Sequence, residues 1–126
     1  MKVLILAAAA LAAGMGMASA QDLAAGEQSF RKCLPCHAVG PDARHKIGPL
    51  LNGLAGRVSG TIEGYNYTEA NKKAHITWSE ASFKEYITNP MARVPGTKMA
   101  FGGIKNEKEI ADLWGYLKQF KADGSK

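Results

Sequence analysis

The chain runs to 126 residues, with 16 Lys and Arg against 11 Asp and Glu for a formal net charge of +5, and it holds only two cysteines. A chain of this length carries one small domain with a limited apolar core, and the thin basic excess lacks the dense Lys/Arg stripe of a nucleic-acid binder. Beyond the first twenty residues no stretch is apolar enough to cross a membrane.

In chain order, the opening MKVLILAAAALAAGMGMASA sets Lys2 before an apolar run from Val3 and ends in Ala18-Ser19-Ala20. A basic start, an apolar middle and a small-x-small ending form the pattern of a secretory leader, cut here before Gln21. A transmembrane anchor is the competing reading. Gly14 and Gly16 interrupt the run, however, no basic flank follows it, and it is short for the roughly 20 residues of a span. The expected division is a cleaved signal peptide at 1–20 and one soluble, exported domain at 21–126.

That domain reads as helices joined by long glycine-rich loops. Asp22 can cap a first helix that carries Leu23 and Phe30 and ends close to Cys33. Gly26 shares the apolar face, where a glycine costs about 1 kcal/mol against alanine unless something approaches closely. A short helical turn is expected after Thr68. A further helix runs from Thr77 or Ser79 to Asn89, turns Phe83, Tyr86 and Ile87 inward, and is stopped by Pro90. The clearest element is the last, NEKEIADLWGYLKQFKADG. Asn106 caps it, Glu109 completes a pair resembling a capping box, and Gly124 closes it; Ile110, Leu113, Trp114, Leu117 and Phe120 fall at helical spacing. No segment alternates as a sheet strand would, so the expected fold is all-α.

The two cysteines stand in CLPCH, Cys33 to His37. A thioredoxin-like redox pair needs a strand–helix framework that this chain does not offer. Structural zinc wants four ligands, and after Cys33, Cys36 and His37 only His45 and His75 are strong candidates. A bare Cys33–Cys36 disulfide closes too short a loop to stabilise much. Covalent haem attachment accounts for every residue of the stretch: two thiols form thioethers to the two vinyl groups, and His37 becomes an axial ligand of the iron. An export signal also places the chain where such haems are attached.

A filled sixth iron position favours electron transfer, whereas an open one permits ligand binding or peroxide chemistry. After the leader the methionines are Met91 and Met99. Met91 reads as a gap-filling or surface residue at a helix end. Met99 sits in the non-helical stretch PGTKMAF, from which a soft thioether can reach the iron; a packing role is its alternative.

The segments CLPCH, KIGPLLNGLAGR, GYNYTEANKK, ITWSEASFKEYITNP, VPGTKMAFGGIK and DLWGYLK resemble, in order and spacing, successive segments of the class I cytochromes c, mitochondrial and short bacterial periplasmic forms alike. The resemblance spans nearly all of 21–126. It implies the cytochrome c fold, one covalent haem c, and Met99 as the distal ligand paired with His37. It further implies that Gly26 and Phe30 meet Leu113 and Tyr116 where the first and last helices cross, and that the Pro49 carbonyl accepts the His37 ring N–H. By the same resemblance Arg57, Tyr67 and Trp78 surround a buried propionate, and Asn71, Tyr86 and Thr97 lie beside the methionine. His45 is expected to secure a loop and His75 to be exposed, neither as a metal ligand.

Of the family's lysine-rich rim, Lys32, Lys46, Lys98 and Lys105 match, while Met91, Ala92 and Asn106 stand where the mitochondrial form has lysines. The function implied is that of a periplasmic, monomeric electron carrier and not an enzyme. Its expected partners are redox proteins with acidic docking surfaces: a bc-type complex, a terminal oxidase, a photosynthetic reaction centre or a periplasmic dehydrogenase. The competing class is a haem peroxidase or ligand sensor with an open iron.

Overall fold

A computed structural model describes residues 21–126; the expected leader at 1–20 lies outside the described residues. Five helices follow one another: α1 (Leu23–Phe30), α2 (Glu69–Lys73), α3 (Glu80–Thr88), α4 (Pro90–Arg93) and α5 (Glu107–Leu117). The single extended pairing among the described residues is an isolated antiparallel bridge, Val58 to Thr77. No helix among them is long and apolar enough to cross a membrane.

The frame is α1 packed against α5. The α5 face of Ile110, Leu113 and Leu117 is almost wholly buried, Leu113 completely so. Burying side chains of this size stabilises the fold by about 1.5–3 kcal/mol each. Close approach is possible because α1 presents Gly26. A Cβ there would stand 2.8 Å from the Asp112 carbonyl carbon and 2.8 Å from the Tyr116 Cβ, inside any tolerable contact. Phe30 lies 5.6 Å from the Tyr116 ring, and α3 joins through Phe83 against Trp114 at 5.3 Å.

The caps tie the two helices further. Asp22 accepts the Ala25 N–H at 3.0 Å and Asn106 accepts that of Glu109 at 2.9 Å, as expected. Neither cap is completed by its own N3 side chain. The Asp22 backbone N–H is taken by Asp112 of α5 at 2.9 Å. Glu109 does not turn back to Asn106; its carboxylate reaches across to Ser29 at 2.9 Å and to Lys32. The expected capping box at α5 is therefore replaced by a contact between helices.

Two other expectations change. Pro90 does not simply stop α3: Asn89 leaves helical geometry (φ −159°) and Pro90 opens α4, where its fixed φ suits the first turn. The last helix ends at Leu117 rather than continuing toward Gly124. Phe120 is still buried, but by a turn, and Gly124 (φ +85°) closes a tight loop with Lys121.

Candidate functional site

α1 runs into a chain of turns that gathers the CLPCH residues: Cys33 N–H bonds Phe30 O at 2.8 Å, and both Cys36 N–H (3.0 Å) and His37 N–H (2.8 Å) bond Cys33 O. The cysteines are not joined to each other. Burial first, and Cys36 second, push the Cys33 thiol up to about 11. His37 is 9 % exposed, and its Nδ1 lies 2.6 Å from the Pro49 carbonyl. A carbonyl can only accept, so Nδ1 carries the proton and Nε2 keeps its lone pair. Burial holds the ring below the ordinary histidine range despite the Pro49 bond, which keeps it neutral and able to ligate. Gly48 makes room for it: a Cβ there would lie 2.8 Å from His37 Nδ1.

Cys33, Cys36 and His37 line a cavity of about 490 Å³, within the roughly 300–1,000 Å³ of small-molecule sites. Core residues Leu54, Phe83, Ile87, Leu113 and Leu117 form part of its wall. The hydrophobic core is thus built around a hollow.

Met99 lines the same cavity, half-buried, whereas Met91 is 54 % exposed and outside it. The Tyr86 hydroxyl donates to Met99 Sδ at 3.2 Å, and the Met99 N–H bonds Thr97 Oγ1 at 3.2 Å. Burial raises the Tyr86 phenol above its usual range, opposed by hydrogen bonds from Thr97 and Asn71.

Arg57, Tyr67 and Trp78 also reach the cavity. Arg57 Nη1 donates to the carbonyls of Leu50 (3.1 Å) and Asn52 (3.3 Å), and Tyr67 Oη accepts the Ile62 N–H at 3.3 Å. Burial lowers the Arg57 guanidinium and raises the Tyr67 phenol, each partly offset by the other's charge. Lys32 and Lys98 border the cavity as well, yet its lining holds no Asp or Glu. Several donors and two cations without a carboxylate partner, Arg57 and Lys98, form a setting for a largely apolar group that brings its own carboxylates, since an unpaired buried carboxylate is costly. The residues present therefore fit a haem: thiols and an imidazole on one segment, a thioether on another, apolar walls, and donors for the propionates.

His45 secures loops as expected, accepting the Leu50 N–H at 3.1 Å and donating to Glu63 O at 2.9 Å. His75 is exposed, in the left-handed region (φ 50°). No group of three or more His, Cys, Asp and Glu among the described residues could hold a metal ion. All four rim lysines are engaged: Lys32 with Glu109, Lys46 with Leu34 O, Lys98 with Asn66 O, and Lys105 with Thr88 O. Gly48 and Tyr65, which no local pattern in the sequence marks, also line the cavity. Only the aromatic doublet of Gly64-Tyr65-Asn66-Tyr67 could have hinted at the second.

Fold and site together define a class: a small helical protein whose hollow core is completed by a covalently held group. The Cytochrome c family model matches residues 23–121. Over 126 residues the chain is 56 % identical to cytochrome c2 of Blastochloris viridis, covering 100 % of this chain and 99 % of that one. It is 64 % identical over 106 residues to a cytochrome c2 of Rhodoplanes tepidamans, covering 84 % and 99 %. A solved structure of cytochrome cH from Methylobacterium extorquens superposes with a TM-score of 0.73 at 39 % identity, over 78 % of this chain and 98 % of the other. The chain belongs to the cytochrome c family, as a class I c-type cytochrome with a covalent haem c; it is an electron-transfer protein and not an enzyme.

Proposed function

We propose that this protein is exported by its 1–20 leader and shuttles electrons through the periplasm as a monomer. The residues holding the haem would be Cys33 and Cys36 through thioethers, His37 and Met99 as axial ligands, and Arg57, Tyr67 and Trp78 at the propionates. When bound, the haem supplies a one-electron couple between Fe(II) and Fe(III). The chain's own part is to hold that couple rigidly. The Pro49 carbonyl fixes the His37 tautomer, Tyr86 orients the Met99 sulfur, and the apolar wall excludes water. The observation carrying this reading is the carboxylate-free cavity that has His37 and Met99 on its walls.

Electrons would pass to a bc-type complex, a terminal oxidase, a reaction centre or a periplasmic dehydrogenase through a small transient interface, with Lys46, Lys98 and Lys105 meeting acidic surfaces. The test is the ferric spectrum. Met99→Ala should abolish the weak sulfur–iron charge-transfer band at the red end and lower the reduction potential, while Met91→Ala leaves both intact. Loss of the band in Met91→Ala alone would reverse the assignment.

A further inference from the structure

Resting on the ligand assignment above, we propose that Tyr65 is a positioning residue that couples the segment behind His37 to the segment carrying Met99. Its hydroxyl donates to Ile47 O at 2.5 Å. Ile47 opens the collar of the imidazole: Gly48 lies against the ring and bonds Cys36 O through its own N–H at 2.8 Å, and Pro49 O accepts the hydrogen bond from His37 Nδ1–H. The face of the Tyr65 ring receives Lys98 Nζ at 4.6 Å from its centroid, and Lys98 is the residue before Met99. The same ammonium donates to Asn66 O at 2.7 Å. The ring also packs in a T-shaped arrangement with that of Tyr67, at 4.8 Å and 76°. One side chain thus touches the His37 collar, the Met99 segment and a cavity donor.

Apolar packing does not replace this tie. Ile47 is 70 % exposed and Lys98 is exposed as well, so neither segment is held there by deep burial. His45 also links the collar to the loop before Tyr65, through Leu50 and Glu63, but it makes no contact with Lys98 among its hydrogen bonds. The hydroxyl and the ring face of Tyr65 have separable duties, and that separation makes the coupling testable.

The experiment uses the haem-loaded protein and the variants Tyr65→Phe, Tyr65→Leu and Lys98→Met. Amide hydrogen exchange is followed at Gly48 and Met99, and imidazole is titrated into the ferric protein as a probe of how readily the sulfur yields. Tyr65→Phe should speed exchange at Gly48 about five- to tenfold and leave Met99 exchange and imidazole affinity unchanged. Tyr65→Leu should do the same at Gly48, speed Met99 exchange, and raise imidazole affinity about threefold, the scale of one exposed cation–π contact. In a Lys98→Met background, Tyr65→Leu and Tyr65→Phe should no longer differ in imidazole affinity. The proposal is overturned if Tyr65→Phe leaves Gly48 exchange unaltered, if exchange rises equally in the α5 amides, or if that difference survives without Lys98. If Met99 were not the ligand, imidazole affinity would ignore every variant while the two exchange arms still decided the coupling.

Discussion

The α1–α5 pair and the loop wall of the cavity are held by opposite means. The pair closes by apolar burial and by backbone contact at Gly26, with Leu113 and Leu117 of α5 also giving onto the cavity. The wall is made of segments fastened by side-chain hydrogen bonds to carbonyls, from His37, His45, Tyr65, Arg57 and Lys98, around a space that the chain leaves unfilled. The contrast teaches that the helices are a frame and the loops are a mould: the frame closes mainly on itself, and the mould closes only on its contents.

The largest effect should come from taking the contents away. A cavity of about 490 Å³ in a core corresponds to on the order of 10 kcal/mol by the cost of voids, an upper bound because this one is partly open, and whole domains have only about 5–15 kcal/mol. Cys33→Ala combined with Cys36→Ala should therefore abolish cooperative thermal unfolding followed by circular dichroism. A haem-free double variant that melted cooperatively would overturn the contrast.

Gly26→Ala attacks the frame instead. The added Cβ meets backbone that cannot turn aside, so the variant should lose about 1–3 kcal/mol or more in urea unfolding while its ferric spectrum at neutral pH stays that of wild type. Spectral change before unfolding would mean that frame and mould are not separable.

Asp112→Ala probes the cap that α5 gives α1. It should cost about 1–2 kcal/mol at neutral pH. The hydrogen bond from Lys108, then that from the Asp22 N–H, holds the Asp112 carboxyl below the usual range. A lowered folded-state pKa gives stability that is present above the ordinary aspartate value near 3.9 and is lost as pH falls through the folded one. The gap between wild type and variant should accordingly close below about pH 4 in urea titrations. A gap constant with pH would show that packing, not charge, is what was lost.

The smallest effect separates the rim lysines by region. Lys32 is paired with Glu109 and belongs to the frame, whereas Lys46 bonds only a neutral carbonyl and keeps its charge for a partner. Lys46→Ala should slow electron transfer to an acidic partner about twofold more than Lys32→Ala, with both differences shrinking as salt rises.

The frame was legible in sequence because its signals are local: Asp22 and Asn106 as caps, the spacing of Ile110, Leu113, Trp114 and Leu117, and a costly glycine at 26. The residues proposed for attachment stand out in sequence because CLPCH is a contiguous motif. What escaped is what depends on distant partners. Glu109 looked like half of a capping box because nothing local reveals Ser29 and Lys32 across the helix interface. Phe120 fits the helical period although a turn buries it, since periodicity records which side is apolar and not where hydrogen bonding ends. Tyr65 carries no motif; its place follows from a hydroxyl meeting a carbonyl 18 residues away.

The meeting of α1 with α5 has a consequence for chain length. It joins the two ends of the domain, so everything from Arg31 to Asn106 is one closed loop. The entropic cost of closing such a loop grows only with the logarithm of its length, about 0.6 kcal/mol for each doubling. Extra residues in the surface turns of this segment would hardly be felt at the clasp. Trimming into either terminal helix would remove one jaw, and the long interior would then lose the constraint that makes it a single closed ring.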